Sequence, residues 1–86
     1  MPIYKIEFVK NAQKELSKLP EQTRIRIVRA IHKLGSDPRS GNVRPMVGAK
    51  SWRLRVGDYR VVYDISDGNL KILIIRIRHR RDIYRK

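Results

Sequence analysis

Five consecutive residues, Trp52-Arg53-Leu54-Arg55-Val56, alternate apolar and cationic side chains. Successive side chains of a strand point to opposite faces, so Arg53 and Arg55 share one side while Trp52, Leu54 and Val56 share the other. Guanidinium groups fixed on a strand present planar, permanently charged forks suited to phosphate oxygens. The following Gly57-Asp58 suits a two-residue type II′ turn. Such a turn sets Val56 opposite Tyr59, Arg55 opposite Arg60 and Arg53 opposite Val62, which adds Arg60 to the cationic patch. Like charges directly opposite one another cost stability, so their presence points to an anion that offsets the cost. A solvated strand face with splayed arginines is the plainer alternative. A second cluster, His79-Arg80-Arg81-Asp82-Ile83-Tyr84-Arg85-Lys86, gathers an imidazole, guanidiniums and a phenol, and reads either as chemistry or as a basic tail.

The elements that must position these groups follow from periodicity. Residues 3–8 alternate in the manner of a half-buried strand. Asn11 is the expected N-cap of a first helix, with Ala12, Leu16 and Leu19 at helical spacing up to Pro20. A second helix is expected from Glu21 to Leu34, its apolar stripe formed by Ile27, Val28, Ile31 and Leu34, and Gly35 is its stop. Residues 36–51 hold enough Pro and Gly to read as one long loop. Three strands are then expected over 52–56, 59–66 and 70–78, the last two joined by a type I′ turn at Asp67-Gly68. The expected fold is α+β: an N-terminal strand, a two-helix hairpin and a three-stranded antiparallel meander that completes a four-stranded sheet, with the helices on one face. Ile72-Leu73-Ile74-Ile75 suggests that the last strand lies inside the sheet. Its register stays open, because Arg76 and Arg78 share parity with Ile72 and Ile74.

Composition narrows the partner. The 86 residues carry 21 Lys and Arg against 8 Asp and Glu, a formal charge of +13. That self-repulsion makes a polyanion, nucleic acid above all, the leading partner, with plain solubility as the alternative. The length suits a single domain over 1–86 with one modest core and no large cofactor pocket. There is no cysteine, hence no disulfide framework or thiolate site, which fits the cytoplasm. No apolar run approaches a membrane span, so no membrane role is expected.

The run from Trp52 to Tyr63 (WRLRVGDYRVVY), followed by His79-Arg80-Arg81-Asp82-Ile83-Tyr84, resembles the RelE branch of the RelE/ParE toxin superfamily. Leu16 to Pro20 and Asp37-Pro38-Arg39 fit as well, so the resemblance covers essentially the whole chain. It implies a ribosome-dependent mRNA endonuclease, held inactive by a small antitoxin. Its basic strand positions fall on Arg53 and Arg55, its Gly-x-Tyr-Arg arginine on Arg60, and its C-terminal basic and tyrosine positions on Arg80 and Tyr84. Some members carry lysines where this chain has Arg53 and Arg55, and arginine does not accept a proton near neutrality.

RNA is cut when its 2′-hydroxyl attacks the neighbouring phosphate, a reaction that needs no metal. It needs a base for the hydroxyl proton, charge stabilisation for the phosphorane, and a proton for the leaving 5′-oxygen. Charge stabilisation is assigned to Arg55, Arg60 and Arg80, phosphate contact to Arg53, and acid–base or stacking work to His79 and Tyr84. Arg81 and Arg85 are read as further RNA contacts. His32 reads as a surface histidine, and Trp52, Tyr59 and Tyr63 as packing residues. No metal or cofactor is expected: cysteine is absent, the histidines are far apart in sequence, and Asp58, Asp64 and Asp67 lie at or near turns without a ligand motif. Two alternatives stand beside this reading, a ParE-like inhibitor of DNA gyrase and a non-catalytic nucleic-acid-binding module.

Overall fold

A computed structural model describes residues 3–48 and 50–80. Strand β1 (Lys5–Phe8) leads into helices α1 (Lys10–Ser17) and α2 (Glu21–Leu34), followed by strands β2 (Val43–Pro45), β3 (Trp52–Val56), β4 (Tyr59–Ser66) and β5 (Lys71–His79). The strands form one sheet in the order β1-β5-β4-β3-β2. The α+β class and the helix pair match the expectation, and the interior place of the last strand does too. The sheet has five strands rather than four, because β2, inside the stretch read as loop, pairs antiparallel with β3. It is also mixed rather than wholly antiparallel, since β1 runs parallel to β5. The direction of β1 is set at its exit, where the Val9 N–H bonds to the Ile74 carbonyl and the chain turns into α1, which packs on β5.

One face of the sheet carries the core. Leu54, Val56, Val61, Tyr63, Ile72, Ile74 and Ile77 pack against Ala12 of α1 and Ile27, Ile31 and Leu34 of α2. Each fully buried aliphatic side chain among them contributes roughly 1.5–3 kcal/mol. On α2 the buried stripe is completed by half-buried Ala30, whereas Val28 stays 42% exposed. Positions 27, 30, 31 and 34 follow the i, i+3, i+4, i+7 repeat, and Val28 lies at the margin of that arc. The polarity of α2 suits its macrodipole, with Glu21 in the first turn and His32 and Lys33 in the last. Helix α1 begins at Lys10 with Val9 as its N-cap, not at an Asn11 cap, and its regular turns end at Ser17, two residues before Leu19. The bond from Val9 to the sheet fixes the helix entry, so no side-chain cap is needed.

The turns differ in how well they follow their dipeptides. Gly57 has φ +57° while Asp58 stays at negative φ, the sign pattern of the expected type II′ turn. The β4–β5 connection is four residues long, Asp67 to Leu70, rather than a two-residue type I′ turn at Asp67-Gly68. Leu70 carries the left-handed conformation at φ +49°, and β5 begins one residue later than expected.

Candidate nucleic-acid interface

The face turned away from the helices is built by the β3–β4 hairpin. Arg55 lies opposite Arg60, Arg53 opposite Val62 and Val56 opposite Tyr59, the pairing that a two-residue turn dictates. The next strand extends the pattern. Arg78 of β5 lies opposite Arg60, and Arg76 opposite Val62. On the other side Arg44 of β2 lies opposite Arg53. The result is two rows across the sheet, Arg55-Arg60-Arg78 and Arg44-Arg53-Val62-Arg76, with strands about 4.8 Å apart.

A bulge brings Arg76 and Arg78 to this face. Val62 pairs with Arg76 but Tyr63 pairs with Ile74, so Ile75 is an extra residue on β5. The inserted residue resets the alternation: Ile72, Ile74 and Ile77 all face the core, and the two arginines face away. This settles the parity conflict that the sequence leaves open. Arg44, Arg76 and Arg78 were not among the residues picked from sequence. For the last two the isoleucines at 72, 74, 75 and 77 were no guide, because Ile75 continues the apolar run across the change of parity.

Two depressions open on the rows. One, of about 190 Å³, is lined by Arg44, Arg53, Arg55 and Arg60 together with the backbone stretch 41–43. The other, of about 280 Å³, is lined by Met46, Arg53, Arg60, Val62, Arg76 and Arg78. Arg53 and Arg60 border both. Among the described residues no carboxylate lies within ion-pair distance of Arg44, Arg53 or Arg55. At the outer edge Glu15 of α1 stands 3.7 Å from Arg76 Nη1 and 3.8 Å from Arg78 Nε. Its other oxygen accepts the Ile77 N–H at 2.9 Å, covering a part of β5 that lies beyond the pairing with β1.

A polar clamp at the far end of the sheet fixes the chain before β2. The buried Tyr63 hydroxyl donates to the Pro38 carbonyl at 2.6 Å. Burial pushes that phenol above its ordinary range. Arg39 grips Asp67 through both terminal nitrogens, at 3.2 and 2.8 Å, and Tyr4 donates to the same carboxylate at 2.7 Å. The hydrogen bond from Arg39, then that from Tyr4, holds Asp67 below the usual carboxylate range. The bond to Asp67 in turn raises the Tyr4 phenol. Arg39 also lies 5.5 Å from the centre of the Trp52 ring, which packs against the core rather than on the arginine face.

The candidates chosen from sequence do not all come together. Arg53, Arg55 and Arg60 come together on the open face. His79 pairs with Tyr59 on the helix-facing side, where the two rings meet edge to face at 5.0 Å, so its imidazole is not part of the arginine rows. Arg80 is exposed just past β5, and its N–H donates to the Asp58 carbonyl at 2.6 Å, which ties the end of β5 to the β3–β4 turn. Arg81, Tyr84 and Arg85 lie outside the described residues. His32 is exposed on α2.

Comparison with known proteins bears on the family and the fold. A family model described as "ParE toxin of type II toxin-antitoxin system, parDE" matches residues 6–84. Toxin RelG of Mycobacterium tuberculosis (strain ATCC 25618 / H37Rv) is 34% identical over 85 residues, covering 96% of this chain and 98% of its own. Among solved structures, the toxin–antitoxin complex RelBE2 from Mycobacterium tuberculosis superposes with a TM-score of 0.84 at 29% identity, covering 93% of this chain and 94% of the other. The archaeal RelE–RelB complex from Pyrococcus horikoshii OT3 gives 0.81 at 26% identity, covering 91% and 96%.

Proposed function

The chain belongs to the RelE/ParE superfamily of type II toxin–antitoxin toxins, and from that premise we propose that it is an endoribonuclease that cuts mRNA on the ribosome, in the cytoplasm. The observation that carries this reading is the facing pair Arg55 and Arg60, next to Arg53, on an open sheet face. Three guanidiniums facing the same way cost stability in the free protein and gain it when a phosphate binds. The partner that keeps the toxin silent is proposed to be a small antitoxin, as in the RelE–RelB and RelBE2 complexes that share its fold.

In the proposed reaction a ribose 2′-oxygen forms a bond to the adjacent phosphorus while the bond to the 5′-oxygen breaks. The 2′-hydroxyl gives up its proton and the leaving 5′-oxygen gains one, so the cut needs no metal or cofactor. Arg55, Arg60 and Arg80 oppose the charge that builds on the phosphorane, and Arg53 holds a substrate phosphate. Because guanidinium does not accept protons at neutral pH, proton transfer falls to another group; Tyr84 is proposed for it, and His79, whose ring meets Tyr59 on the helix-facing side of the sheet, is not. The ribosome supplies orientation of the 2′-hydroxyl.

The test is primer extension on translating ribosomes. Arg60→Ala is expected to lower cleavage by about 10² to 10³, the usual cost of one lost transition-state charge donor. Its thermal unfolding should stay close to that of the parent. Undiminished cleavage in a folded Arg60→Ala protein removes Arg60 from the site. No cleavage by the parent, with arrest of a DNA gyrase assay instead, favours the ParE-like alternative.

A further inference from the structure

Arg76 and Arg78 take no part in the reaction proposed above, yet the bulge at Ile75 delivers both to the same face. We infer that the depression bounded by Met46, Arg53, Arg60, Val62, Arg76 and Arg78 is a second nucleotide subsite for single-stranded RNA, which takes one base on Val62 and Met46 and the neighbouring phosphate on Arg76 and Arg78. The inference rests on RNA being the substrate.

Val62 is the only apolar member of the row Arg44-Arg53-Val62-Arg76, so the floor of this depression is uncharged while its rim is cationic. Met46, 37% exposed, supplies an apolar wall. A bare phosphate has no use for such a floor and fits the first depression, which four arginines surround. A nucleotide uses both parts, since every base has an apolar face that packs without sequence-specific hydrogen bonds. The shared border at Arg53 and Arg60 places the second subsite directly beside the proposed cleavage site, as one continuous strand requires.

Glu15 is the positioning residue of this subsite. Its distances to Arg76 and Arg78, 3.7 and 3.8 Å, are ion-pair distances, too long for hydrogen bonds. The carboxylate therefore draws both side chains towards the β5 edge by charge and leaves their N–H groups available. It is also a competitor for them, which an incoming phosphate must outbid. The amide of a Glu15→Gln variant can still accept the Ile77 N–H, so the two duties of the side chain are separable.

Fluorescence anisotropy with a 2′-O-methyl RNA hexamer, which cannot be cleaved, and with the same backbone made wholly of abasic units tests each part. Arg76→Ala with Arg78→Ala should weaken binding of both probes and lower the slope of log affinity against log salt by about one to two. Met46→Ala with Val62→Thr should weaken the base-bearing hexamer by about fivefold and leave the abasic backbone unchanged. Glu15→Gln should raise affinity for both probes by about threefold, and the gain should vanish when Arg76 and Arg78 are alanine. Unchanged affinity and salt slope in the double arginine variant, while Arg60→Ala weakens binding, overturns the subsite and leaves the cleavage reading in place. If Arg60→Ala also leaves binding unchanged, RNA itself is the wrong ligand. A Glu15→Gln gain that persists without the two arginines overturns the role given to Glu15. Both arginine side chains are about two-fifths exposed, at 42% and 41%, so their removal leaves the core untouched.

Discussion

The open face of the sheet has two halves that treat charge in opposite ways. Near the start of β5 the charges are matched: Glu7 stands 3.9 Å from Lys5 and 3.6 Å from Lys71, and Ser51 donates to Asp64 at 2.7 Å. Beyond the bulge, arginine faces arginine across three strands, and Glu15 at the margin is the carboxylate that answers them among the described residues. The same scaffold and the same residue types thus give a neutralised surface at one end and a concentrated positive field at the other. Neutralisation was available to the fold, yet among the described residues no carboxylate lies within ion-pair distance of Arg44, Arg53 or Arg55, which marks that end as a place suited to an external anion.

The largest effect expected from breaking this arrangement lies beneath both halves. Ile74, fully buried where β1, β5 and β4 meet, should cost about 2–5 kcal/mol when replaced by alanine, measured by urea unfolding. A loss of that size at an arginine of the open face would show that the rows serve stability after all. The two halves themselves should respond with opposite signs. Glu7→Gln is expected to destabilise by a few tenths of a kcal/mol, because it removes an exposed ion-pair partner. Arg55→Gln is expected to stabilise by a few tenths, because it removes a like charge facing Arg60. Equal signs in thermal melts at low salt would erase the distinction.

The smallest effect concerns the clamp at the matched end. Arg39 and Tyr4 hold the Asp67 carboxyl below its ordinary range, so the folded state binds its proton less readily than the unfolded chain. The contribution of Asp67 is therefore full above the ordinary carboxylate range and is lost as pH falls through the lowered value. Asp67→Asn should melt slightly earlier than the parent at neutral pH, and the gap should close on acidification. Because all three partners are at the surface, the effect should also shrink with added salt. A gap that widens towards acid would contradict the assignment.

Much of this surface can be read in the sequence, and what cannot has physical causes. The facing of Arg55 and Arg60 follows from Gly57-Asp58 alone, because a two-residue turn leaves no freedom in register. The interior place of β5 follows from its apolar run. Arg44 was hidden because three residues, Val43-Arg44-Pro45, are too short to show alternation, and only the edge of β3 makes them a strand. Arg76 and Arg78 were hidden because Ile75 extends the apolar run with no Gly or Pro to announce a bulge. For His79 the sequence supplied a titratable group beside Arg80, but the side of the sheet it occupies depends on that same bulge. Sequence places a cation within an element with ease; which face it reaches depends on pairings decided elsewhere in the chain.

The position of β5 has a consequence for how the protein comes into being. The strand that bonds to both β1 and β4 is the last of the five to leave the ribosome during synthesis. Until residues 71–79 have emerged, β1 has no neighbour in the sheet, and Ile72, Ile74 and Ile77 are missing from beneath the helices. A growing chain therefore spends roughly one to three seconds as helices and a hairpin without a closed core, while residues 67–79 are added at about 5–20 residues per second. Joining its first strand to its last is then a long-range step of the kind that slows folding. Arg44, Arg53, Arg55 and Arg60 can come into register once β2, β3 and β4 are out, but Arg76 and Arg78 join them only with β5, so a growing copy that stops short of residue 79 presents part of the surface and not the whole.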